Sequence, residues 1–319
     1  MGRMGYLVLL KWMDMEQLID TVHINFDTRS LWTLNFALAM VMFGIALEIN
    51  FDDFKELSRK PKLVLTGVFS QFLLLPLVTF GLVLLLEPMA SIALGMFMVA
   101  ACPGGNISNF ITHLAKGNSA LSVTLTAIAT LLAIVMTPLN LQVWGSLYGP
   151  TGTILKEVSI APIEMIKLVA LLLGVPLFLG MLVNHFRPKL AKKMAKGFKM
   201  GSLIFFVLLI FLALYKNWAI FLDYITYVFW LVVLHNLVAF LTGFSVAKAM
   251  GFTKENVKSI TIETGIPNSG LGLLLIFTFF DGLGGMALLA AFWGIWHLVS
   301  GLLLASIWGY RSIEKEELV

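Results

Sequence analysis

Long apolar runs separated by short polar stretches recur along the whole chain, each close to the roughly 20 residues that a helix needs to cross a bilayer. Nine segments stand out: A (about 30–50), B (62–86), C (89–115), D (119–146), E (160–186), F (199–218), G (222–249), H (256–280) and I (284–309). Nothing between them is long enough for a soluble domain. Segments C and H contain helix breakers, near Pro103 and Pro267. A-B-C-D therefore reads intact, intact, broken, intact, and F-G-H-I repeats that order after the unmatched E. Four crossings and E separate the starts of the two halves, so F enters from the side opposite to A and the repeats are inverted. The pattern predicts an all-α membrane protein of nine helices. Its parts are a non-spanning arm (1–28), a first repeat (29–146), a second repeat (147–310) and a tail (311–319), with E matching a helix absent before A.

Composition agrees with this reading. With 59% hydrophobic and 13% charged residues and a mean hydropathy of +0.92, the chain lacks the polar surface of a soluble globule of its length. The net charge of +4 lies in the loops and does not point to nucleic acid. With the N-terminus outside, sixteen of the 22 Lys and Arg fall on the cytoplasmic side. The other six are Arg3, Lys11, Arg29, Lys156, Lys167 and Lys216. Basic residues favour the cytoplasm, so the C-terminus is expected there, at the cell (inner) membrane. The run from Arg187 to Lys199 contributes most. The single cysteine, Cys102, can form no internal disulfide and reads as a small buried hydrophobe. Aromatic residues near segment ends, such as Trp32, Trp144, Tyr148, Trp218, Tyr224 and Tyr227, read as interfacial anchors.

Candidate chemistry gathers at the two breaks. In H, Glu263 lies a few residues into the apolar stretch, where an ionised carboxylate costs several kcal/mol unless it is paired or faces a cavity. Pairing with Lys254 or Lys258 is one account. A bound cation is the other, because Gly265, Pro267 and Gly270 break the helix and free carbonyl oxygens beside the acid. In C, Pro103-Gly104-Gly105 ends one half-helix and Asn106, Ser108 and Asn109 open the next. Each could be an ordinary N-cap, yet the second half-helix would also aim free N–H groups and a positive dipole end at an anion. Segment D places Ser122 and Thr126 on one face, with Thr130 continuing it. Hydroxyls bonding back to their own helix are common, but Ser108, Asn109, Ser122, Thr126 and Glu263 together form an oxygen-rich, low-charge set suited to sodium. There are too few carboxylates for a calcium cage. Gln71 in B and His235-Asn236 in G sit at similar depths, and His297 lies in I. A lone membrane histidine more often joins helices than relays protons.

These residues resemble the bile acid:sodium symporter family, over nearly the whole chain. The markers are Cys102-Pro103-Gly104-Gly105 with Ser108-Asn109, Ala120-Leu121-Ser122, Leu234-His235-Asn236, Glu263-Thr264-Gly265 with Asn268-Ser269-Gly270, and Trp296-His297. The resemblance implies a core domain (C, D, G, H, I and B) with crossing broken helices, and a panel domain (A, E and F) that moves against it. It implies one sodium site at Ser108, Asn109, Ser122, Thr126 and Glu263. A second site would use Gln71, Glu263 and the carbonyls of Thr264 and Ile266, with Pro267 standing where the family usually has a Gln ligand. Leu298 stands where many members have Asn.

The expected function is thus a sodium-coupled symporter of an organic anion, bile-acid-like or a small carboxylate, working by alternating access and not as an enzyme. Asn106, Asn268 and His297 are the expected substrate contacts, with sodium as coupling ion and no cofactor. Proton coupling through Glu263 is a second reading, and a passive channel another. An intramembrane hydrolase with Ser269 as nucleophile and His297 as base lacks a Gly-x-Ser-x-Gly elbow and an evident acid beside the histidine.

Overall fold

The computed structural model describes residues 39–49, 59–158, 162–216 and 218–316, together with the single positions 36 and 55. The named elements are all helices, and the one extended feature among the described residues is a bridge between Gly104 and Pro267. In chain order they are α1 (39–46), α2 (Pro61–Leu86), α3 (Ala90–Ala101) and α4 (Asn106–Leu114). Then come α5 (Ser119–Leu147), α6 (Gly149–Val158), α7 (162–186) and α8 (Pro188–Lys216). The chain continues through α9 (Trp218–Ala249), α10 (Lys254–Gly265), α11 (Ser269–Phe279) and α12 (Gly284–Glu316). The expected N-terminal arm and Trp32 lie outside the described residues, as do residues 317–319 of the tail and the side chains of Asn106, Trp218, Tyr224 and Tyr227.

Four described helices are long and apolar enough to cross a membrane: Pro61–Leu86, Ser119–Leu147, Val228–Ala249 and Gly284–Gly309. Segments C and H each form two short helices in series, α3 with α4 and α10 with α11, because the proline–glycine breaks stop the backbone ladder midway. Nine crossings are accordingly not counted among the described residues.

Two boundaries differ from the hydrophobic pattern. Helix α8 starts at Pro188, well before segment F, so exposed Lys189, Lys192, Lys193 and Lys196 form its first turns. Proline suits the first helical position and Lys and Ala are good helix formers, but an apolar-run criterion ends where the side chains become charged. The short helix α6 follows α5 and was not anticipated, since its sequence GPTGTILKEV is too polar for that criterion.

Helices α2 and α7 each contain one π turn, Ser70–Leu74 and Ala170–Gly174. Each is followed by a proline, Pro76 and Pro176, which offers no N–H and crowds the carbonyl four residues back. A wider turn relieves that clash. In α2 it also turns Ser70 and Gln71 into the interior, where both are buried.

Outward faces are apolar as well. Leu65, Phe69, Leu73 and Leu77 line one exposed stripe of α2, and Leu131, Val135, Leu139 and Val143 another on α5. A four-residue stripe of exposed apolar side chains on each of these two helices suits lipid chains rather than water. Between helices, small residues allow close approach, which is how helices associate where apolar burial alone gives no gain. A Cβ at Gly95 of α3 would come to 3.0 Å from the Met286 backbone of α12, and one at Gly285 would overlap the Ser91 hydroxyl. Around that contact pack Phe97, Leu274, Leu289 and Trp293 of the main core. A separate cluster of Phe43, Leu47, Val183, Ala191, Ala195 and Phe198 joins α1, α7 and α8.

Candidate ion site where two broken helices meet

The unwound stretches between α3 and α4 and between α10 and α11 lie against each other. Asn268 N–H donates to the Pro103 carbonyl at 2.7 Å, and Gly105 N–H to the Ile266 carbonyl at 3.3 Å, on either side of the Gly104–Pro267 bridge. Each break thereby satisfies backbone groups freed by the other, as backbone at membrane depth requires. Side chains complete this accounting. Gln71 Nε2 donates to the Cys102 carbonyl at 2.8 Å, Thr137 Oγ1 to Ala101 at 2.7 Å and Asn236 Nδ2 to Gly265 at 2.7 Å. Two carbonyls lose their helical donors: Pro267 has no N–H for Glu263, and the Asn268 N–H that would serve Thr264 goes to Pro103.

Glu263 ends up beside this crossing, 3% exposed. Its Oε2 accepts from Ser108 Oγ at 2.6 Å and from Ser122 Oγ at 3.2 Å, and its Oε1 from Thr126 Oγ1 at 2.7 Å. Asn109 Oδ1 closes the group, 2.7 Å from Ser122 Oγ and 3.2 Å from Thr126 Oγ1. Gly104 is part of the cradle, because a Cβ there would overlap the Glu263 carboxylate. The five side chains read as one sodium site from the sequence are therefore in one place, contributed by α4, α5 and α10.

The cluster has more acceptors than protons. Ser122 Oγ reaches Asn109 Oδ1, Glu263 Oε2 and Thr112 Oγ1, the last at 3.3 Å, with a single proton to give. Ser108 Oγ likewise faces both Glu263 and the Gly105 carbonyl, each at 2.6 Å. Lys258 does not supply the missing positive charge, since its Nζ donates to the Ala115 carbonyl at the end of α4, at 2.7 Å. Among the described residues no basic side chain is hydrogen-bonded to Glu263. A surplus of neutral and anionic oxygens around one buried carboxylate is the chemistry that a hard monovalent cation satisfies.

The second set from the sequence is arranged differently. Gln71 is 1% exposed and its Oε1 has no hydrogen-bond partner among the described residues. Ser70 and Thr264 share a 2.9 Å hydrogen bond next to it, and the Ile266 carbonyl is already engaged by Gly105. Of the expected substrate contacts, Asn268 caps its own helix, its Oδ1 accepting from Leu271 N–H at 3.0 Å. His297 is buried with Nδ1 2.6 Å from the Trp293 carbonyl of its own helix. Thr130 bonds back to Thr126 at 2.7 Å and adds nothing to the cluster. Ser269 is buried at the first turn of α11 and Gly270 follows it. His235 Nε2 lies 2.8 Å from Thr79 Oγ1, tying α9 to α2, and Trp144 packs tilted against Phe80, ring centroids 5.4 Å apart, with its indole N–H bonded to Asn140.

Two contributors, Thr112 and Ser70, were missed in the sequence, and Gly104 was read there only as a helix breaker. Thr112 lies one turn after Ser108 and Asn109, a spacing that was visible; Ser70 and the cradle at Gly104 were not, because they depend on the π turn and on the other break.

The model of the sodium bile acid symporter family matches residues 35–224. The chain belongs to that family. It is 37% identical over 298 residues to the uncharacterised sodium-dependent transporter YocS of Bacillus subtilis, covering 92% of this chain and 89% of YocS. The probable chloroplastic sodium/metabolite cotransporter BASS1 of Arabidopsis thaliana is 28% identical, over 89% of this chain and 68% of its own. The rabbit (Oryctolagus cuniculus) ileal sodium/bile acid cotransporter is 30% identical, over 75% and 67%. The family and these relatives are sodium-dependent membrane transporters rather than enzymes, which removes the hydrolase reading of Ser269 and His297.

Proposed function

We propose that this symporter-family protein imports an organic anion by alternating access, with sodium bound at Ser108, Asn109, Ser122, Thr126 and Glu263 as the coupling ion. The observation that carries this reading is the buried Glu263 carboxylate ringed by hydroxyl and amide oxygens, without a basic partner among the described residues. A cation bound there neutralises the acid and draws α4, α5 and α10 together, so that loading changes both the charge and the rigidity of the crossing. A second, weaker site uses Gln71 Oε1 with the carbonyls of Glu263 and Thr264, which lack helical donors. The substrate is a bile-acid-like anion or a small carboxylate, held beside the crossing by Asn106, Asn268 and His297. In this reading the clusters around α3, α12 and the breaks form a core, α1, α7 and α8 form the panel that it moves against, and the two halves are inverted repeats.

Thermal unfolding of the detergent-purified protein tests the ion. Sodium should raise the melting temperature above that in equal potassium, by mass action on the folded state. Glu263→Gln removes the one formal negative charge and should weaken sodium binding by about 3 kcal/mol, more than a hundredfold. Full sodium stabilisation of that variant would sink the ligand set, and stabilisation by acid in place of sodium would favour proton coupling. The orientation, cell (inner) membrane with the C-terminus cytoplasmic, follows the basic residues at the start of α8. A cysteine at Lys192 should resist membrane-impermeant thiol reagents applied to intact cells, and ready labelling would invert the topology.

A further inference from the structure

Asn236 lies within α9, 1% exposed, and is none of the ligands assigned above. Its Nδ2 holds the Gly265 carbonyl, the last of α10, at 2.7 Å. Its Oδ1 accepts from Ser300 Oγ of α12 at 2.6 Å, so the amide is fixed at both ends. One and two turns further along α9, Phe240 and Gly243 continue the same face. A Cβ at Gly265 would overlap the Phe240 ring, and one at Gly243 would come within 2.9 Å of the Ile260 carbonyl and of Thr264 Cβ. Helix α9 is thus pressed along the half-helix that carries Glu263, and of these three contacts only Asn236 makes a polar one.

The polar contact governs a peptide plane. The amide between Gly265 and Ile266 is held on its carbonyl side by Asn236 and on its N–H side by the Ile262 carbonyl at 2.9 Å. Released from Asn236, this plane could turn and carry the Thr264 carbonyl and the end of α10 with it, since Pro267 provides no N–H to rewind the helix. We propose that Asn236, oriented by Ser300, is a positioning residue for cation binding: it fixes the end of α10 so that the Glu263 side chain faces the ion held by the hydroxyl cluster, without touching the ion itself. This rests on reading the Glu263 cluster as the ion site. The physical precedent is general, since partners that orient first ligands change metal affinity by about 10–100-fold.

Sodium titrations of the melting temperature at constant total salt, balanced with potassium, separate positioning from mere support. Asn236→Ala should raise the sodium concentration at half-maximal stabilisation about tenfold or more. Ser300→Ala, a milder change that frees the amide without removing it, should raise it several-fold, and Ser300→Thr, which keeps the hydroxyl, should restore it. Should Asn236→Ala not fold, the Ser300 pair decides alone. Equal loss of stability in sodium and potassium with an unchanged sodium midpoint would overturn the proposal. Glu263→Gln run alongside reports on the underlying site: a retained sodium response there would remove the ion site itself rather than the role of Asn236.

Discussion

At the first break, Gln71 of α2 holds Cys102, Thr137 of α5 holds Ala101, and the backbone of Asn268 holds Pro103. At the second, Asn236 of α9 holds Gly265 and the backbone of Gly105 holds Ile266, while the Glu263 and Thr264 carbonyls keep no helical donor. Both breaks use a side-chain amide from a neighbouring long helix. They differ in what the amide oxygen does: Asn236 Oδ1 takes the Ser300 hydroxyl, whereas Gln71 Oε1 has no partner among the described residues. The first break is closed by protein donors and contributes hydroxyls through α4; the second carries the acid and the open oxygens. Two stretches of similar composition end up differently, one closed by protein donors and one with oxygens left open, and the difference is set by which neighbours donate protons to them.

That comparison can be broken at the cradle. Gly104→Ala would drive a Cβ into the Glu263 carboxylate, a side-chain end held in place by the Ser108, Ser122 and Thr126 hydroxyls. Sodium-dependent stabilisation should be abolished, with about 1–3 kcal/mol lost from the fold by overpacking. Unchanged sodium titration would show that the carboxylate does not need its present place.

A smaller effect is expected from the hydroxyls that the first break and α5 lend to the second. Ser122→Ala or Thr126→Ala each removes one neutral oxygen from the shell, worth about 1 kcal/mol or roughly fivefold in sodium midpoint. Losses as large as that of Glu263→Gln would mean that the hydroxyls, not the acid, dominate binding.

Pro267 sharpens the comparison with the smallest shift. Replacing it with Gln offers the open side of the second break an amide oxygen near Gln71, at the risk of returning an N–H to the Glu263 carbonyl. Sodium should bind a few-fold more tightly, on the order of 1 kcal/mol. If a titration of the unaltered protein instead finds two ions of equal affinity, lost together on Gln71→Ala, proline is not what weakens the second site.

Much of the site was legible because its signals are local. A carboxylate in an apolar run, glycine and proline where a helix should continue, and hydroxyls four apart on one face are each visible within a dozen residues, as with Glu263, Pro103-Gly104-Gly105 and Ser122 with Thr126. Asn268, expected among the substrate contacts, also caps α11 through its Oδ1, a use that its sequence context fits equally well. Ser70 gave no signal, since its inward turn depends on a π turn forced by Pro76, six residues later.

By itself the sequence determined the apolar segments, the two breaks and the family, because hydrophobic length and helix-breaking residues act through the chain's own backbone. Only the tertiary structure decided that the breaks bridge at Gly104 and Pro267, that Lys258 turns to Ala115 and leaves Glu263 to the hydroxyls, and that Asn236 is tied down while Gln71 Oε1 has no partner among the described residues. Those outcomes turn on which buried donor meets which buried acceptor. Residues more than a hundred positions apart compete for the same few protons, and that competition is settled by packing rather than by spacing along the chain.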